Sequence, residues 1–178
     1  MESVILVDEH DKMLGTMEMM AVHRLGKLHR AFSVFIFNGA GELLLQQRAF
    51  EKYHSAGKWS NACCSHPRPG EFNVEAASRR LKEEMGIACE LVPGFSFVYK
   101  AVFGELTEYE FDHVLFGTTE QIPVPDPLEV AAWQYVLPDV LKKELEQEPD
   151  KFTAWFKICF DRVMQYHYQQ QENDQNHS

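Results

Sequence analysis

The chain has 178 residues, 45% of them hydrophobic and 25% charged, with a formal net charge of -10. That length suits one domain with a sizeable core, and the acidic balance argues against a nucleic-acid surface, which needs a basic face. No apolar run is long enough to span a bilayer, and the opening MESVILVDEHDK lacks the features of a signal peptide, so a cytoplasmic protein with no membrane partner is expected.

In chain order, residues 4–8 and 14–18 read as two short strands around a polar turn. Residues 32–37, the turn Asn38-Gly39-Ala40-Gly41 and residues 43–48 make a strong hairpin signal. Residues 73–85 look like the one clear internal helix. Asn73 is placed to cap it, and Val74, Ala77, Leu81 and Met85 recur along one stripe. Glu83 and Glu84 fall in its last turn, where the macrodipole disfavours negative charge unless a cation offsets it, and Gly86 ends it. Strands are expected over 95–103, 108–118 and 129–136, then a short helix after Pro138 and a long one from about Asp150. From Gln169 the composition is that of a disordered tail. The expected organisation is a single domain over residues 1–168 with a polar tail over 169–178, folded as an α/β or α+β sandwich.

Four cysteines, Cys63, Cys64, Cys89 and Cys159, are too few for a disulfide scaffold and leave free thiols for chemistry. Cys64 is closer than Cys63 to His66 and the helix, although a buried free cysteine is usually just a small apolar residue. An adjacent cation would lower its pKa. His23, His29, His66, Glu108 and Glu110 are candidate metal ligands. Singly, each is better read as a surface or core-edge polar group. Glu108 and Glu110, however, are two apart on a strand and so share a face, where two like charges repel unless something positive lies between them. Three imidazoles and two carboxylates suit a six-coordinate Mn²⁺ or Mg²⁺, or Zn²⁺ with fewer donors engaged. Glu84 suits a Mg²⁺ completed by phosphate oxygens and water, with Glu83 and Glu71 equally well read as a solvated helix end and a loop charge. Basic candidates flank the thiol: Arg48 and Lys52 before it, Arg79 and Arg80 after it. By spacing, Phe152 and Trp155 pack the core, but a ring facing a pocket would stabilise a cation through its quadrupole. Tyr99 is placed to sit over the same pocket.

The run WSNACCSHPRPGEFNVEAASRRLKEEMGI (59–87) has the register of a Nudix box with two changes. Ser65 stands where the first glycine belongs, and Arg80 where the glutamate of the Arg-Glu pair belongs. With LHRAFSVFIFN (28–38), KYHSAGKWSNACCSHP (52–67), EYEFDHVLF (108–116) and FTAWF (152–156), the chain resembles the type I isopentenyl diphosphate isomerases, which are Nudix-fold enzymes. The resemblance implies a mixed sheet between helices and an allylic proton shift on a small diphosphate; a monomer or weak homodimer is expected. It implies Cys64 and Glu110 as an opposed acid–base pair, Tyr99 assisting Glu110, and Trp155 facing a carbocation. It further implies a metal held by His23, His29, His66, Glu108 and Glu110, Mg²⁺ at Glu84, and Arg48, Lys52 and Arg80 on the phosphates. Met19 stands where bacterial members often carry a lysine. The rival readings are a Nudix pyrophosphohydrolase using Glu71, Glu83 and Glu84, and a non-catalytic module with a sensitive thiol.

Overall fold

Strand β3 (His29–Phe37) organises the molecule, a computed structural model that describes residues 1–178. Along one edge it pairs in parallel with β8 (Leu106–Thr118), from His29 opposite Glu110 to Phe37 opposite Thr118. Its other edge is shared in turn by β1 (Ser3–Val7) at His29, β6 (Cys63–Ser65) at Phe32 to Val34, and β4 (Leu43–Arg48) at Phe37. A strand bonded on both edges and covered on both faces needs a nearly continuous apolar run. Ala31 to Phe37 supplies one, and every residue in it is buried.

The Asn38 turn forms as expected: its side-chain oxygen accepts from the backbone N–H of Ala40 and Glu42. The hairpin itself does not continue. β3 and β4 pair only at Phe37–Leu43 and then part, and β4 pairs instead with β5 (Trp59–Asn61) and β9 (Val130–Val136). Neither β5 nor β6 was expected, because three residues are too few to show an alternation. β7 (Val92–Phe103) adds to β8 and β2 (Met13–Glu18) to β1, giving one mixed nine-stranded sheet.

Side-chain alternation along β3 divides the core in two. Phe32, Val34 and Ile36 pack against Ala77, Leu81 and Met85 of α2 (Asn73–Met85). Phe35 and Phe37 pack with Phe156, Phe160 and Val163 of α4 (Ala154–Asn176) on the other side. The expected mixed sheet between helices is therefore present, and no helix is long and apolar enough to cross a membrane. α3 (Pro138–Gln147) follows Pro138 as expected. No periodic pattern in the sequence marks α1 (Met19–Leu25), a seven-residue helix capped by the Glu18 carboxylate, which accepts from the amides of Met20 and Ala21.

Two local expectations are corrected. Asn73 is the first residue of α2 and not its cap; the Glu75 carboxylate satisfies the Phe72 N–H at 3.4 Å. The segment from Gln169 is helical as far as Asn176 and fully exposed. It contains no Gly or Pro, and a helix already nucleated extends at small cost per residue. Gly86, at φ +67, ends α2, and a Cβ there would meet the Val124 carbonyl oxygen at 2.7 Å. Gly86→Ala should therefore lower stability by about 1–3 kcal/mol in denaturant titration.

Candidate active site

The pleat decides which thiol is available. Cys63 lies opposite Val34 and joins the core under α2; Cys64 lies opposite Ser33 and turns to the other face. There it lines a cavity of about 250 Å³. Of the residues that the family resemblance assigns to the site, all but His23 and His29 line this cavity.

His23 and His29 lie in a buried cluster with His66 and Glu110, whose ligand atoms are all within 4.8 Å of one another. His66 Nε2 is 3.0 Å and His29 Nε2 3.5 Å from Glu110 Oε1, and the two nitrogens are 3.3 Å apart. His29 Nδ1 lies 2.9 Å from the Lys27 carbonyl oxygen, which can accept its proton and leave Nε2 free as a ligand. Both ring nitrogens of His23 are buried without a partner. Orphaned imidazole nitrogens converging on a carboxylate are what a divalent ion would satisfy. Burial pulls the His23 pKa down to about 4, and the neighbouring imidazoles add to this. Burial alone would raise Glu110, but hydrogen bonds with His29 and His66 hold it far below the usual carboxylate range.

Glu108 shares the face of Glu110, as its spacing predicted, yet stands outside this set of four. Two residues along β8 it accepts a hydrogen bond from the Tyr99 hydroxyl, and its Oε1 lies 2.8 Å from His54 Nε2. His54, buried and stacked on Phe103, was not singled out from the sequence.

Carboxylates already hold two of the basic residues. Arg80 donates to Glu83 Oε2 at 2.6 Å and to Glu84 Oε1 at 2.7 Å, and Lys52 Nζ lies 2.5 Å from Glu129. Arg80 thus provides the cation that the end of α2 requires. Glu84 is buried; desolvation pushes its pKa up although Arg80 opposes this, and Gln46 Nε2 donates to it at 3.1 Å. Glu71 does not line the cavity and is held by Arg79 through two bonds of 2.8 and 2.9 Å. The Arg48 guanidinium sits 5.3 Å from the centre of the Trp155 ring. Cys64 Sγ donates to Asn61 Oδ1 at 3.2 Å and lies 3.4 Å from Ser33 Oγ. Burial raises its pKa, and nearby Asp112 adds to the effect.

Residues 27–156 match the NUDIX domain family model. Isopentenyl-diphosphate Delta-isomerase 1 of Aromatoleum aromaticum is 54% identical to this chain, covering 92% of it and 93% of the relative. The isopentenyl-diphosphate Delta-isomerase of Pectobacterium atrosepticum is 49% identical, covering 92% of both chains. The chain belongs to the isopentenyl-diphosphate isomerases of the NUDIX family. The fold likeness extends more widely: DR0079 of Deinococcus radiodurans superposes with a TM-score of 0.69 at 20% identity, over 83% of this chain and 90% of that one.

His54 and Glu129 line the cavity, and Asn61 lies buried behind Cys64, though none of the three was singled out from the sequence. Asn61 lies inside the WSNACCSHP run, so the only available signal was its distance of three residues from Cys64. Equilibrium dialysis should find one divalent ion bound at the histidine cluster and lost in His29→Ala. Burial alone would lower the His66 pKa, but its hydrogen bond to Glu110 raises it above the ordinary imidazole value, so protons compete there first and affinity should fall as pH drops through that raised range.

Proposed function

We propose that the protein interconverts isopentenyl and dimethylallyl diphosphate by moving one proton into, and another out of, this cavity. The observation that carries the reading is that a thiol, Cys64, and a carboxylate, Glu110, enter one cavity from the two strands flanking β3, with an indole beside them. An unactivated alkene must be protonated to a tertiary carbocation, which water would trap, so the acid and base must work in a dry site.

In the direction from isopentenyl diphosphate, Glu110 gives a proton to the terminal methylene, and Cys64 then takes one from the carbon nearer the diphosphate. Tyr99, opposite Glu110 across β7 and β8, stands behind this carboxylate and orders Glu108. The Trp155 ring, already in contact with the Arg48 cation, offers its π face to the positive charge of the intermediate. Burial raises the Cys64 pKa and hydrogen bonds from the histidines lower that of Glu110, shifts that favour the thiol and the carboxylate, the pairing the reverse reaction starts from. Each turnover exchanges the two states and leaves the pair ready for the opposite direction.

Arg48, Lys52 and Arg80 would hold the diphosphate oxygens. Lys52 and Arg80 would exchange their carboxylate partners for phosphate. His23, His29, His66 and Glu110 fit a divalent ion, with Glu108, two residues along β8 on the same face, as a further oxygen donor, and Glu84 fits the Mg²⁺ that accompanies a diphosphate. The ion at the histidines, Mn²⁺, Mg²⁺ or Zn²⁺, would make Glu110 a stronger acid, and Mg²⁺ would neutralise the diphosphate. The hydrolase alternative is disfavoured because Arg80 occupies a carboxylate position and Glu71 is tied to Arg79 outside the cavity.

The test is an assay of purified protein with Mg²⁺ and labelled isopentenyl diphosphate. Allylic product with no phosphate released is expected, falling about 10²–10⁴-fold in Cys64→Ala and Glu110→Gln. Phosphate without allylic product would mean the site hydrolyses. Lys52→Met should raise KM about 10-fold, equivalent to ~1.4 kcal/mol of binding, with a smaller effect on kcat.

A further inference from the structure

Asn61 lies at the end of β5 with none of its surface exposed. Its Nδ2 donates to two backbone carbonyls, those of Val34 and Cys63, each at 3.0 Å. Carbonyls only accept, so the amide has one workable orientation. Its oxygen must face the other way, toward Cys64 Sγ at 3.2 Å and Ser60 Oγ at 2.9 Å. An amide oxygen has no proton to give, so Cys64 Sγ is the donor in this contact, which is shorter than the 3.4 Å to Ser33 Oγ on the other side of the sulfur.

The same oxygen is held from behind. Ser60 Oγ donates to it and in turn accepts from Thr153 Oγ1 at 3.0 Å. Thr153 precedes α4, its backbone N–H donates to the Trp59 carbonyl at 3.0 Å, and Trp155 is two residues further on. Ser60 and Thr153 are buried as well. One continuous hydrogen-bond chain therefore runs from the thiol to the turn of helix that presents the indole.

We infer that Asn61 is a positioning residue that fixes the Cys64 sulfur where it exchanges the allylic proton, and that Ser60 and Thr153 hold the thiol and the Trp155 ring in one rigid frame. This rests on the isomerase reading above. The competing explanation is structural: by binding Val34 and Cys63, Asn61 would merely strap β3 to β6.

Deuterium partitioning separates the two. In heavy water, Glu110 delivers a deuteron to the terminal methylene of isopentenyl diphosphate and creates the carbocation. The cation either returns a proton from that same carbon to Glu110, leaving deuterium in recovered substrate, or loses a proton from the carbon nearer the diphosphate to Cys64, giving allylic product. A misplaced thiol harms only the second branch. The ratio of exchanged substrate to product should rise about 5-fold or more in Asn61→Ala, the weight of one hydrogen bond. It should rise in the same direction but less in Ser60→Ala, which leaves both backbone bonds of Asn61 intact. A parallel fall of exchange and product, with the ratio unchanged in both variants, would overturn the inference and leave Asn61 a strap. If Asn61→Ala does not fold, the ratio in Ser60→Ala decides alone. Wild-type protein that makes no allylic product would instead overturn the isomerase reading.

Discussion

The whole cavity depends on the double-edged pairing of β3. Its parallel register with β8 sets Glu110 beside His29, while its antiparallel register with β6 sets Cys64 beside Ser33. The thiol and carboxylate proposed to exchange protons therefore stand on opposite sides of one rigid strand. Ladder hydrogen bonds hold them there, and loops contribute little. A slip of one residue on either edge would turn one of them into the core under α2. Such a register is strongly specified because both faces of β3 are filled with large apolar side chains.

Charge is the second constraint. A protein of net charge -10 must hold a diphosphate, and Glu84, Glu108, Glu110 and Asp112 are all buried around the cavity. Burying a carboxylate is costly unless it has partners. Ser33 donates to Asp112, and the partners of the other three are of two kinds. Arginine and glutamine surround Glu84, whereas imidazoles and a phenol surround Glu110 and Glu108. The first group can exchange a carboxylate for a phosphate. The second has donor atoms to spare, since both nitrogens of His23 are unpartnered, and that surplus suits a cation.

The NUDIX helix is reused with altered emphasis. Glu84 remains buried at the cavity, but its neighbour one turn earlier is Arg80, which forms an ion pair with it at 2.7 Å. Glu71, ahead of the same helix, and Glu83, in its last turn, are both paired with Arg79. Carboxylates that a hydrolase would gather on metal are thus partly replaced by, and partly tied to, arginine. The thiol and the second strand carboxylate enter from elsewhere in the sheet.

Much of the protein was legible in the sequence. Helix α2, strands β7 to β9 and the stripe of α4 follow from local periodicity, which depends only on which residues alternate or recur. Motif spacing likewise marked Cys64, Glu110, the three histidines and Arg80. What local pattern does not contain is which strands meet. The short β5 and β6 exist because β3 and β4 part after one pair and leave edges to fill, and α1 is set by its Glu18 cap and its packing, with no periodic pattern to reveal it. Only the tertiary structure decided that Glu108 reaches Tyr99 and His54, that Glu129 holds Lys52, and that Asn61 turns its amide oxygen to Cys64. Each of those contacts joins residues whose partners lie on separate elements or on opposite sides of a pleat, and three-dimensional packing, not spacing along the chain, sets the distance between them.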